Sequence, residues 1–341
     1  MEEKLSKHIS EFDYNLPKDA IAQKPAFPRD SCKLMVIKNG GIHHHFFHEI
    51  GDYLSKGDVL VLNNTYVKKV KLHGRKETGG KVEILILGEK NEGYECLIKG
   101  KVREGTRIYI NKIEAVVKKK ESRRCLLEMP LEMDDIEKIG EMPLPPYIKE
   151  KIDRETAELY QTVFAERKGS VASPTAGLHF TAPLLQKLKK KGIKIVFLTL
   201  HVGIGTFMPI KCDEVEKHRM ESEYYEIEEN EAMKINEAKE KGNAIIAVGT
   251  TVVKALESAS EDGYVNPFSG WSDLFIYPGY KFRSPITGIL TNFHMPKSTP
   301  LLLVSSFFGK EKVMEAYKVA LKNGYRFLSF GDAMLILDKN V

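Results

Sequence analysis

Four short stretches hold the side chains and glycines with which this chain could do chemistry. GSVASPTAGLHFT (169–181) carries no charged residue, whereas a solvated loop normally would. Pro174 and Gly177 set a turn, Ser173 and Thr175 offer hydroxyls, and His179 adds one titratable imidazole. Such a lining suits a neutral or zwitterionic ligand beside a group that exchanges protons near neutral pH. The plainer alternative is a turn before the next helix, with His179 bonded to backbone. LTLHVGIGTF (198–207) places His201, Gly203, Gly205 and Thr206 just past a strand. Glycines there let backbone N–H groups approach a ligand, although the segment also reads as a tight connection. VGTTVVKALES (248–258) runs a strand through Gly249 into Thr250 and Thr251 at a helix start. A helix amino end attracts carboxylate, phosphate or ribose oxygens, although a hydroxyl cap alone would explain the threonines. LTNFHMPKST (290–299) sets Asn292, His294, Lys297 and Thr299 on the loop after another strand, facing one crevice.

A metal centre would need another pattern. His43, His44, His45 and His48 form a contiguous cluster, HHHFFH, that reads as a solvated strand end. His179, His201, His218, His294 and Glu223 contain no HxH or HExxH. A metal-dependent hydrolase is therefore the alternative reading, and no metal is expected. Cys32, Cys96, Cys125 and Cys212 are scattered without a CxxC pair, which suits a reducing cytoplasm.

These segments need a scaffold to bring them together. The 341 residues allow one large domain or two ordinary ones, and 42% hydrophobic with 29% charged residues is a globular composition. The longest apolar run falls far short of the roughly 20 residues that span a bilayer, so no membrane partner is expected. MEEKLSKHISEFDYNLP lacks an apolar stretch of signal length, which points to a cytoplasmic location. Charge is uneven. Between Tyr66 and Leu127 stand 17 Lys and Arg against 8 Asp and Glu, leaving −4 of the overall +5 to the rest. That asymmetry suggests an anionic polymer touching one part of the molecule.

The same region holds short strand-like runs, KVEILILGE, YECLIKGK, RIYINKIEAVVKKK and RRCLLEM, at the spacing of a small all-β barrel or sandwich. Proline-rich EMPLPPYI (141–148) reads as a connector. Beyond it, helical ETAELYQTVFAE, APLLQKLKKKG, ENEAMKINEAKEKG, TPLLLVSSFFG and EKVMEAYKVALKNG alternate with strands such as IKIVFLTLHVG, NAIIAVGT, DLFIY and GILTNF. The expected fold class is α/β: a barrel-like α/β body, residues 1–64 and 146–341, with an inserted basic β-barrel at 65–145. Ligands belong at the carboxyl ends of its strands.

Longer blocks carry a resemblance. FDYNLPKDAIAQKPAFPRDSCKLMV, GDVLVLNNTYV, SVASPTAGLHFT, LTLHVGIGTF, VGTTVVKALES, LTNFHMPKSTPLLLVSSF and YRFLSFGDAMLI resemble the S-adenosylmethionine:tRNA ribosyltransferase-isomerase family of queuosine biosynthesis. The resemblance implies an enzyme that moves and isomerises the ribosyl part of S-adenosylmethionine onto 7-aminomethyl-7-deazaguanine at the tRNA wobble position. Epoxyqueuosine-tRNA forms, and adenine and methionine leave. A non-catalytic RNA-binding protein is the further alternative. The chain departs from the family pattern at Tyr66, Lys254 and Phe330, and Glu221 stands where histidine is common.

The reaction implied by the resemblance asks for a base, an acid and a water-poor pocket, and for no cofactor beyond S-adenosylmethionine as co-substrate. His179 and His294, supported by Glu223, are the expected acid/base residues. Ser173, Thr175, Gly177, His201, Gly203, Gly205, Thr206, Gly249, Thr250, Thr251 and Asn292 are expected to hold substrate. Lys68, Lys69, Lys71, Arg75, Lys76, Lys118, Lys119, Lys120, Arg123 and Arg124 are expected on tRNA phosphates, with an ordinary solvated lysine surface as the alternative. The working unit is expected to be a monomer.

Overall fold

Apolar runs bounded by turn formers become the strands of one nine-stranded mixed sheet. Its order is Phe268–Ser272, Glu223–Ile227, Lys194–Leu200, Val59–Asn63, Ile245–Val248, Gly288–Asn292, Ala333–Ile336, Lys33–Lys38 and Gly41–Phe46. These come from a computed structural model that describes residues 8–150, 154–207 and 209–337, without the side chains of Arg154, Thr206 and Phe207. The central strands Lys194–Leu200, Val59–Asn63, Ile245–Val248 and Gly288–Asn292 are mutually parallel, in the registers Val196↔Val61, Val61↔Ala247 and Ala247↔Ile289. Val59–Asn63, Ile245–Val248 and Gly288–Asn292 are buried at every position, as strands covered on both faces should be. Their carboxyl ends therefore share one rim.

Helices supply the cover. Thr181 caps the helix Ala182–Lys190 by accepting the Leu184 N–H at 3.2 Å, and Lys187, Lys189 and Lys190 sit in its last turn. Leu184 and Leu188, four residues apart on one face, pack with Leu60, Leu62, Phe180 and Ile246 in the core. Thr250–Ala259 buries Val252, Val253, Ala255 and Leu256 and leaves its amino end on the rim.

The chain divides into two compact units: Met1–Tyr66, Pro145–Arg167 and Ser173–Val341 form the larger, and Val67–Leu144 with Lys168–Ala172 the smaller. Lys168–Ala172, assigned to the body on sequence, thus groups with the smaller unit. In that unit six strands close into an antiparallel barrel, ordered Arg124–Glu128, Gly93–Lys99, Lys81–Lys90, Lys71–Lys76, Arg107–Ile110 and Ile113–Glu121. Closure removes exposed sheet edges. Gly93 makes one tight approach possible: its φ is 130°, and an added Cβ would lie 2.4 Å from the Leu127 carbonyl oxygen.

Two expectations need correction. The helix expected over ETAELYQTVFAE is confined to Arg154–Glu158, after which turns bury Tyr160 and Thr162. DLFIY is irregular, and the strand lies just before it at Phe268–Ser272.

Candidate active site

The parallel register carries Gly249, Thr250 and Asn292 to neighbouring strand ends. There, with Ser173, Thr175, Thr251 and His294, they line a crevice that opens to solvent. Gly249 enters the helix with φ of 96°, a left-handed backbone that favours glycine. The 169–181 segment reaches the same place because Thr175–His179 forms a short 3-10 turn, with the Gly177 N–H donating to the Pro174 carbonyl at 2.8 Å. Ala176 Cβ lies 3.5 Å from where a side chain on Gly249 would begin. The described lining has no Asp, Glu, Lys or Arg.

Both histidines proposed for proton transfer are held neutral. His294 lines the crevice with Nε2 2.8 Å from Thr291 Oγ1. Its backbone is fixed on both sides: its N–H donates to Tyr317 Oη at 2.9 Å, and its carbonyl accepts from the Tyr14 hydroxyl. Packing around the ring pushes its pKa down to about 3, although the residue keeps partial exposure. His179 is 4% exposed, and burial lowers its pKa to about 4. Its Nδ1 stands 3.2 Å from Cys32 Sγ, whose own thiol is pushed up by burial. His179 lines an adjoining hollow rather than the crevice, and Ser329 lines both.

Glu223 is not a free carboxylate. Its Oε2 pairs with Lys254 Nζ at 2.9 Å and its Oε1 accepts the Gly203 N–H at 2.8 Å, with both pair members over nine-tenths buried. The pair lines a second hollow that shares Thr250, Thr251 and Pro300 with the crevice. Added Cβ atoms on Gly203 and Gly205 would stand 3.6 Å from carboxylate oxygens of Glu223 and Glu221 respectively. The glycine turn therefore faces acidic groups and suits a cationic ligand group better than an anionic one.

Other expected residues sit apart. His201 bonds Thr65 Oγ1 through Nδ1 at 2.8 Å and stacks on Tyr224, with ring centroids 5.6 Å apart. Asn63 fixes the strand end before it, accepting the Leu200 N–H at 3.1 Å and donating to the Leu200 carbonyl at 2.9 Å. Gly177 packs against Phe164, where an added Cβ would meet Cζ at 2.8 Å, so its smallness serves packing. The Thr206 side chain lies outside the described residues. His218 packs edge-on against Phe275 at 5.0 Å. Among the described residues no group of three His, Cys, Asp or Glu could hold a metal ion.

Several lining residues were not among those expected from sequence, although Leu328 and Ser329 lie in the YRFLSFGDAMLI block. Tyr147 comes from the proline-rich connector and bonds Ser329 Oγ at 2.6 Å. Leu328 lines the crevice with φ of 70°, a conformation rare for a branched residue and typical of constrained sites. Its carbonyl accepts from Asn292 Nδ2 at 3.0 Å.

In the smaller unit the basic residues are largely engaged. Lys71 pairs with Glu83 at 3.2 Å, Lys118 with Glu128 at 2.8 Å, Arg124 with Glu95 at 2.6 Å, and Lys119 with Glu121. Lys76 Nζ donates to the Lys101 carbonyl at 3.0 Å, Lys120 Nζ to that of Val102 at 2.9 Å, and Arg75 Nη1 to that of Gly79 at 3.4 Å. Lys68 and Lys69 are half-buried, and burial lowers the Lys68 pKa. Arg123 is exposed at the turn between two barrel strands.

Comparison with known proteins agrees with this organisation. Residues 9–336 match the family described as queuosine biosynthesis protein. An S-adenosylmethionine:tRNA ribosyltransferase-isomerase of Halothermothrix orenii is 50% identical over 96% of this chain and 99% of its own. The protein of the same name from Thermotoga petrophila is 47% identical over 96% of this chain and 99% of its own. The crystal structure of S-adenosylmethionine tRNA ribosyltransferase from Thermotoga maritima has a TM-score of 0.57 and 39% identity, covering 96% of this chain and 100% of that one. No helix of the described residues is long and apolar enough to cross a membrane. With matches spanning nearly its whole length, the chain belongs to the queuosine biosynthesis protein family.

Proposed function

We propose that this chain is an S-adenosylmethionine:tRNA ribosyltransferase-isomerase acting on tRNA that bears 7-aminomethyl-7-deazaguanine at the wobble position. The observation that carries the site assignment is the uncharged crevice at the strand ends, with a neutral imidazole in its wall and a second beside it. The sulfonium acidifies the 5′ carbon of the sugar, and a base removes a proton there to give an ylide. The ylide's electron pair forms a C4′–C5′ double bond as the C4′–O4′ bond breaks, and adenine leaves C1′ with its electron pair and is protonated, leaving an aldehyde at C1′. The aminomethyl nitrogen adds at C4′ and loses a proton. The carbanion regenerated at C5′ adds to the C1′ aldehyde to close the carbocycle, and the C1′ alkoxide displaces methionine from C5′ to close the epoxide.

His294 and His179 are the groups proposed to move these protons, since burial keeps both imidazoles unprotonated at neutral pH. Each such partner contributes about 10²–10⁴ in rate. Thr250 and Thr251, at a helix amino end, are proposed to receive the methionine carboxylate. Glu223, tied to Lys254 and Gly203, serves as a fixed counter-charge for the cationic part of the substrate. The working unit proposed is a monomer with no resident cofactor.

The test is adenine release from S-adenosylmethionine, with tRNA carrying the modified base and in excess chelator. Stoichiometric adenine is expected. Binding of that tRNA without adenine release would favour a non-catalytic RNA-binding protein, and loss of release under chelation would favour a metal enzyme.

A further inference from the structure

Three buried polar atoms near the crevice have no hydrogen-bond partner among the described residues: Ser173 Oγ, Asn292 Oδ1 and His179 Nε2. Their residues are only 4%, 2% and 4% exposed. Ser173 and Asn292 line the crevice itself, and a hydrogen-bonding interaction with the Asn292 side chain raises the proton affinity of His179. The Asn292 amide cannot turn freely, because its nitrogen is committed to the Leu328 carbonyl at 3.0 Å. Its oxygen, which faces His179, therefore keeps at least one lone pair for a ligand donor. Each unmade bond of this kind costs about 1–3 kcal/mol, which a folded chain retains where another molecule completes it.

The ligand group that completes this set must donate to Asn292 Oδ1, while the Ser173 hydroxyl can donate or accept. That donor is a neutral one. The described lining has no carboxylate, and burying an ammonium without one costs far more than the bond returns. The methionine and aminomethyl ammonium groups instead suit Glu223 and Glu221, beside the glycine turn. The neutral donors that remain in S-adenosylmethionine are the two ribose hydroxyls and the exocyclic amine of adenine. The amine is the one flanked by ring nitrogens that accept, matching a fixed acceptor beside a hydroxyl that can donate. We infer that Asn292 and Ser173 form the subsite that reads the amine edge of the adenine base. The inference rests on the proposed use of S-adenosylmethionine. It places the base in the crevice, with the methionine portion toward the Glu223–Lys254 hollow across the shared Thr250 and Thr251.

The experiment compares binding of free adenine and of purine, the same ring without the amine, by calorimetric titration. Wild-type chain should prefer adenine by at least about tenfold, since a purine leaves the buried acceptor unpaired. Ser173→Ala should cut that preference severalfold while leaving the unliganded melting temperature unchanged or higher, because the deleted hydroxyl had no partner. Asn292→Leu should abolish the preference. Equal affinity for the two rings in the wild type, as ordered water in the set would give, overturns the subsite. So does an unchanged ratio in Ser173→Ala. Failure of the adenine-release assay beside a preserved preference would sink the catalytic reading and leave the subsite standing.

Discussion

At the residue scale, the account turns on imidazoles that burial keeps neutral. The folded-state pKa of His179, about 4, lies below the 6.5 of a free imidazole. As pH falls below 6.5 the unfolded chain takes up a proton that the folded chain refuses, so stability is lost progressively down to about pH 4. Between pH 7 and pH 5 this one histidine should remove about 2 kcal/mol. Chemical denaturation at those two pH values checks it: His179→Gln should lose that much less than the wild type on acidification. Equal losses would mean that His179 titrates normally. His179 was legible in sequence because it follows a turn among uncharged neighbours, and His294 because it stands between Asn292 and Lys297 just past a strand. The commitment of Glu223 to Lys254 was not. It joins residues 31 apart across a strand and a helix, and only the tertiary fold brings them to 2.9 Å. Removing one partner of such a buried pair costs about 3–5 kcal/mol, so loss of activity on changing Lys254 has a structural explanation to be excluded first.

Elements were read well where periodicity was strong. The strands flanking the site and the helices Ala182–Lys190, Glu229–Glu240 and Thr250–Ala259 fall where apolar spacing placed them. Of the three helices only the first has a side-chain cap, and the hydroxyl cap expected from Thr250 or Thr251 is not made. Arg154–Glu158 stops short because the apolar residues after it serve buried turns instead, a tertiary choice that spacing does not reveal. The barrel strand Lys71–Lys76 was hidden by its composition, KLHGRK, which shows only Leu72 as an apolar residue. The barrel also decides how its basic residues can act. Exposed pairs such as Lys118–Glu128 and Lys119–Glu121 contribute little to stability, so phosphates can displace the carboxylates. If tRNA uses this surface, its affinity should fall steeply with salt. Reversing Lys118, Lys120 and Arg123 to Glu should flatten the logarithmic slope by roughly 0.7–0.9 for each phosphate no longer neutralised. An unchanged slope in filter binding would leave the ordinary lysine surface as the explanation.

At the scale of the whole molecule, an α/β body and a separate small barrel followed from two patterns. One was alternating strands and helices; the other was closely spaced short strands in a basic stretch. The site was less complete in sequence. Seven expected residues meet at the crevice, while Tyr147 arrives from the proline-rich connector and Ser329 from the YRFLSFGDAMLI block, where neither was singled out as a site residue. Glu223 reaches only the neighbouring hollow. The central claim is that one crevice at the ends of the parallel strands shelters the sulfonium nucleoside. The most direct measurement is a crystal structure of the full chain soaked with S-adenosylmethionine. The account predicts density beside Asn292 and Ser173, reaching past Thr250 and Thr251, with His294 facing the sugar. A nucleoside lodged away from Asn292 and Thr250 would contradict it.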